Sequence, residues 1–265
     1  MRFVVSSLFY ALLFAGPGAF LPTESEEPWH VVRDPWFGRA QNCDSMCSRL
    51  SRSTYHVSRV LGGIAFAQQS SAELSLNAQL LAGARNGDEA LVRRALEAGA
   101  APNSRNRAGD TVLMMFIRKG NAPIVDLLLA KGADVNLRNV DKVSPLMTAA
   151  YHGHAGIARA LLDHGADMAA EDQLSKTAMI YAAGQGYSEI VGMLLEAGVE
   201  VNQRYKNDLT ALMWAAGYGK ADTARLLLQK GADPNLKDKR GKTARQIAAD
   251  AGREAAVAVL DAWGK

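Results

Sequence analysis

The chain repeats itself every 33 residues, and that period restricts its fold more than any other feature. Gly87, Gly120, Gly153, Gly186, Gly219 and Gly252 fall 33 apart, and Gly99, Gly132, Gly165, Gly198 and Gly231 form a second series with the same step. Thr111, Ser144, Thr177, Thr210 and Thr243 keep the period, as do Asn103, Asn136, Asn202 and Asn235, with Ala169 as the one gap. A strict period of this length means stacked supersecondary units, because one short unit cannot bury its own apolar face.

The stretch Ser144-Pro145-Leu146-Met147-Thr148-Ala149-Ala150 shows what each unit builds. Ser144 is placed to cap a helix with its hydroxyl, and Pro145 suits the first helical position, where its missing N–H costs nothing. Leu146, Ala149 and Ala150 give a small apolar face that lets a second helix come close. Gly153 is expected to end this helix in a left-handed conformation. Ile157, Ala160, Leu161 and Leu162 have the spacing of a second buried helix face, and Gly165 ends it. The run Gly-Ala-Asp that follows leads through an extended, hairpin-like turn to the next cap.

Laid out in this way, the unit resembles the ankyrin repeat, whose pattern is close to G-x-T-P-L-H-x-A-A-x-x-G followed by I-V-x-x-L-L-x-x-G-A-D-x-N. Gly109 to Gly120 with Ile124 to Asn136, and Thr210 to Gly219 with Ala224 to Asn235, carry the likeness. The family's His is replaced throughout by Met114, Met147, Ile180, Met213 and Gln246, which exchanges a polar network for packing. The resemblance implies an all-α ankyrin-repeat solenoid of stacked helix-turn-helix units with β-hairpin-like turns. It covers residues 74–265, with units at about 74–105, 106–138, 139–171, 172–204, 205–237 and 238–265.

Members of this family bind proteins through a concave groove made by the turn tips and the exposed side of the first helix. Carried onto this chain, the helix positions include Arg118 and Lys119, Tyr151 and His152, Gly184 and Gln185, and Gly217 and Tyr218. The tip positions include Asp110, Asp141, Val143, Leu174, Lys176, Asn207, Leu209, Arg240 and Lys242. Tyr151, Tyr181, Trp214 and Tyr218 fall on the same helix in successive units, and aromatic residues are frequent interface anchors. Tyr181 and Trp214 lie one place nearer the core and could instead pack between repeats. Val143, Leu174 and Leu209 place apolar side chains at tips, which suggests a surface with a use. The expected partner-binding set is therefore Arg118, Lys119, Val143, Tyr151, His152, Leu174, Tyr181, Gln185, Leu209, Trp214 and Tyr218.

No nucleophile elbow, phosphate loop, zinc-binding His pair or paired-carboxylate pattern occurs in the repeats, so neither an enzyme nor a cofactor is expected. His152, His154 and His164 cluster in one unit, but His154 and His164 sit where polar helix ends are usual. The net charge of +3 gives no reason to expect nucleic acid, and no small-molecule substrate is indicated. The basic cluster Lys237, Lys239, Arg240, Lys242 and Arg245 suits a solvated terminal repeat.

Residues 1–73 differ in character. Arg2, an apolar run from Phe3 to Phe14 and the small residues to Ala19 resemble a signal peptide over 1–19, or a signal anchor if uncut. A second candidate cleavage region, Ala65-Phe66-Ala67, would apply if translation began at Met46. Either route exports the repeats, to the periplasm or beyond; the anchored alternative faces the periplasm from the inner membrane and is the one case that involves a membrane. Residues 20–38, with Pro22, Pro28, Pro35, Trp29, Trp36 and Phe37, form a linker. Within 39–73, Cys43, Cys47, Leu50, Thr54, Val57, Leu61 and Ile64 trace one helical stripe, read as an amphipathic helix from about Arg39 to Leu61 ahead of a linker; a disordered segment is the alternative. Cys43 and Cys47 could form a local or intermolecular disulfide. Free thiols or a metal site with His30 or His56 remain open, although the spacing matches no common ligand pattern. The reading that emerges is a non-catalytic, monomeric, exported module for an unidentified protein partner. The alternatives are a self-assembling structural protein, or a thiol- or metal-dependent factor using Cys43 and Cys47.

Overall fold

A computed structural model of the chain describes residues 64–263, which form twelve α-helices paired into six hairpins. The expected leader, the 20–38 linker, the Arg39–Leu61 helix and the Cys43/Cys47 pair lie outside the described residues. The first helix of each hairpin is α1 (Ile64–Asn86), α3 (Val112–Arg118), α5 (Pro145–His152), α7 (Ala178–Gln185), α9 (Ala211–Gly217) or α11 (Ala244–Asp250). The second is α2 (Glu89–Glu97), α4 (Ala122–Ala130), α6 (Ala155–Asp163), α8 (Ser188–Glu196), α10 (Ala221–Gln229) or α12 (Glu254–Trp263). First helices pack on first helices along the stack and, from α4 onward, second on second, so a core runs between the two layers. One boundary differs from the sequence expectation: α1 starts at Ile64, so residues 64–73 continue a helix rather than a linker. Among the described residues no helix is long and apolar enough to cross a membrane.

The caps are as the period requires. Thr111, Ser144, Thr210 and Thr243 accept from the backbone N–H three residues on, at 3.1, 3.2, 3.3 and 3.4 Å. Thr177 makes no such bond. Burial pushes the Tyr205 phenol up to about 12, and the nearby Thr177 hydroxyl pulls it the other way. Met114, Met147, Ile180 and Met213, which stand in for the family's His, are all buried core residues. Gln246, in the last hairpin, is exposed and completes a capping box with Thr243.

Two devices join hairpin to hairpin. The first is the Asn series: Asn103, Asn136 and Asn202 each accept at 2.8 Å from the backbone N–H of Asp134, Asp167 and Asp233 in the next unit. The second is a set of lids on the helix-ending glycines. The side chains of His154, Tyr187, Lys220 and Arg253 lie against Gly120, Gly153, Gly186 and Gly219 of the preceding unit. Asp88 and Asn121 cap their second helices with side-chain oxygens, whereas His154, Tyr187 and Lys220 make no side-chain cap bond. In those units a cap bond gives way to packing across the joint.

The connecting hairpins are short turns, and among the described residues only the isolated bridges Arg105–Thr111 and Lys237–Thr243 have strand pairing. In most units an Asn or Asp side chain folds the tip. Asn139 accepts from the N–H groups of Asp141 and Val143, Asp172 from Leu174 and Lys176, and Asp238 from Arg240 and Lys242. Tyr205 holds this position in the fifth unit and cannot do the same. The tip there closes through Asn207 and Asp208, both with positive φ (63° and 58°), as a primed turn requires.

Candidate binding face

The outward side of the first helices, with the tips beside it, carries most of the residues expected to bind. Tyr151 and His152 end α5, Tyr181 and Gln185 lie on α7, Trp214 lies on α9 and Tyr218 caps it. Their rings touch in series. His152 stacks on His154 at 6.0 Å between centroids, Tyr151 meets His152 edge-on at 5.2 Å, and Tyr151 meets Tyr181 edge-on at 5.7 Å. Trp214 stacks on Tyr218 at 5.9 Å.

Lys176 joins the two groups. Its ammonium lies 5.4 Å from the Tyr181 centroid and 5.5 Å from that of Trp214. Each such contact contributes about 0.5–1 kcal/mol at a partly exposed site. Tyr181 is further fixed by donating its hydroxyl to the Asp172 carboxylate, the group that folds the tip bearing Lys176. Tip and helix are thus tied together, and the rings form one preformed row over three consecutive units. Tyr218 is 44% exposed, while Tyr151, His152, Tyr181, Gln185 and Trp214 are half-buried. Tyr181 and Trp214 pack against neighbouring rings and still reach the surface.

Burial first, then the neighbouring His154 and Arg118, hold the His152 imidazole below its ordinary range. His152 therefore adds an uncharged ring to the row at neutral pH.

Four expected site residues take other roles. Lys119 donates to the carbonyls of Ala84 and Arg85 at 2.8 and 3.1 Å, closing the C-terminal end of α1, where a cation is favoured. Arg118 pairs at 2.7 Å with buried Asp110, which also accepts from Asn139 at 2.8 Å. Val143 and Leu209 are core residues rather than exposed tips, at 8% and 3% exposure. The cause lies in the turn: the Asn139 N–H donates to the Val143 carbonyl, and the Tyr205 N–H to that of Leu209, so each of these residues already stands past the tip and turns its side chain inward. Leu174 is exposed as expected, at 45%. Val140, at 63%, is an apolar tip residue missed in the sequence. Its signal was available, since the other units place Arg107, Gln173, Lys206 and Lys239 at that position. Lys176 was placed at a tip, but its seat between two rings from successive units could not be read from spacing.

Among the described residues no group of three or more His, Cys, Asp or Glu comes together as a metal site. His164, at the far end of α6, has its Nδ1 2.8 Å from the Ala160 carbonyl oxygen, away from any such role.

Paired helices in two layers, joined by short tips and lined on one side by a row of rings, define a helical-hairpin repeat scaffold with a face suited to contact. Residues 80–172, 123–205 and 179–262 match the family model described as "Ankyrin repeats (3 copies)". The chain belongs to the ankyrin-repeat family, whose members are general protein–protein interaction modules and typically non-catalytic. No curated protein matches the chain.

Proposed function

We propose that this protein is a non-catalytic, monomeric binding module, exported from the cytoplasm, that holds a partner protein on the ring-bearing face of its third to fifth hairpins. The observation that carries the reading is the row Tyr151–Tyr181–Lys176–Trp214–Tyr218, which stays accessible while its members are locked by one another. A locked face loses little conformational entropy on binding, so its apolar area is used efficiently. Exposed rings on rigid helices are also the usual centres of binding energy. Export rests on the leader-like composition of residues 1–19.

Crosslinking and pull-down from the envelope fraction, with intact-mass analysis of the recovered chain, tests both halves. Export requires that the protein be recovered there. Binding through this face requires that Tyr218→Ala with Tyr151→Ala abolish recovery of the partner, while Tyr218→Ala alone keeps the wild-type melting temperature. Unchanged recovery by the double variant would refute the face.

A further inference from the structure

We infer that the partner segment held on this face is acidic and carries apolar side chains, and that Lys176 takes one of its carboxylates; the inference rests on the binding role proposed above. The hairpin tips sort their charges by sign. Asp110, Asp172 and Asp238 are 4%, 7% and 6% exposed, and each is used inside the fold. Asp110 holds Arg118 and Asn139. Asp172 takes two backbone N–H groups and the Tyr181 hydroxyl. Asp238 takes two backbone N–H groups and the Arg240 guanidinium at 2.9 Å.

The cations of the same tips point the other way. Arg107, Lys142, Lys206 and Lys239 are exposed, and they belong to no ion pair among the described residues. Against them, among the described residues, stand Asp141 and Asp208 at the outer tip positions and exposed Glu171 just before the tip of Asp172. The tips therefore offer positive charge to whatever lies along them.

Lys176 is the one cation placed within the ring row. The rings of Tyr181 and Trp214 fix its ammonium without neutralising it, and among the described residues no carboxylate lies within ion-pairing distance. A lysine normally loses much rotamer freedom when it pairs, and here that loss has already occurred. Leu174 on the same tip, Val140 on the preceding tip, whose carbonyl accepts from the Gln173 side chain, and Tyr218 stacked on Trp214 supply apolar contact. That mixture favours a protein segment over a nucleic acid. A phosphate backbone calls for an unbroken basic track, whereas these cations are interrupted by Val140, Leu174, Asp141 and Asp208.

The test uses the whole chain and a labelled random copolymer of glutamate and tyrosine, followed by fluorescence anisotropy. A lysine–tyrosine copolymer and an oligothymidylate serve as competitors of other chemistry. The glutamate–tyrosine copolymer is expected to bind best and to weaken as salt is added. Lys176→Gln should weaken it about tenfold, the loss of one charge-assisted hydrogen bond. Lys176→Arg should keep it, and Arg159→Gln, on an exposed position of α6, should leave it unchanged. Tighter binding of either competitor, or full affinity in Lys176→Gln, overturns the inference. If Tyr218→Ala loses the copolymer while Lys176→Gln keeps it, the face stands and its acidic preference falls. If Tyr218→Ala and Tyr151→Ala with Tyr218→Ala both bind as wild type, the face itself falls.

Discussion

Two glycines of the third hairpin share a backbone conformation and differ in what surrounds them. Gly153 and Gly165 have φ of 77° and 80°, both in the left-handed region that disfavours a side chain. A Cβ on Gly165 would meet nothing within 4 Å, whereas one on Gly153 would come 2.4 Å from the Tyr187 ring. Gly165→Ala should therefore cost only backbone strain, about 1–2 kcal/mol. Gly153→Ala should cost about 1–3 kcal/mol more, because the ring lid must shift against packed neighbours. Urea unfolding of both variants reads the difference, and equal costs would show that Tyr187 swings aside freely. The glycine series itself was plain in the sequence, and so was its link to helix ends. The lids were not, because each pairs with a glycine 34 residues earlier, one off the repeat, through side chains as unlike as His154, Tyr187, Lys220 and Arg253. Periodicity reveals positions that hold one residue type; a joint filled by four types leaves no trace in it.

The same limit explains what was legible among the elements. Helix starts, helix ends and the apolar faces depend on local chemistry repeated in every unit, so they could be located before any coordinates. The Asn series was also visible, and the structure gives it a purpose: Asn136 accepts from the Asp167 N–H at 2.8 Å and donates to the Gly165 carbonyl at 3.1 Å, and Asn202 does the same to Asp233 and Gly231. Ala169 has no polar side chain, so the joint between the third and fourth hairpins lacks this pair of bonds. Ala169→Asn should supply them from an exposed position and raise stability by about 1 kcal/mol, the net worth of a typical internal hydrogen bond. Asn136→Ala should remove a similar amount. Thermal or urea unfolding of the two variants checks both, and a neutral Ala169→Asn would mean that the turn near Glu200 does not present its N–H as the others do. The tips were harder to read for the same physical reason. Whether Val143 or Lys176 faces out depends on where an Asx side chain closes the turn, and for Leu209 on the backbone turn at Asn207 and Asp208; both are set by one or two hydrogen bonds rather than by any pattern of apolar residues.

At the scale of the whole molecule, the described stack turns a polar side outward at α11 and α12, away from the other hairpins, as the outer face of an end repeat does. In α11, Gln246 stands where Met114, Met147 and Met213 are buried under a following unit, and it is exposed beside Arg245 and Asp250. Arg245 pairs with Asp261 of α12, and Lys242 pairs with Asp250 at 2.8 Å. These contacts are open to solvent, so their contribution is to solubility and to keeping further copies off, more than to the stability of one chain. Restoring the internal pattern with Gln246→Met and Arg245→Leu should lower the unfolding transition only slightly, through loss of the Gln246 half of the capping box. It should also create an apolar end that another copy can cover. Light scattering across a dilution series should then show the wild-type mass constant and that of the double variant rising with concentration. A wild-type chain that itself associates on concentration would place self-assembly, rather than partner capture, at the centre of what this stack does. A double variant that stays monomeric would mean that α12 and the tip beyond Asp238 already shield the end, leaving the charged pairs of α11 without that role.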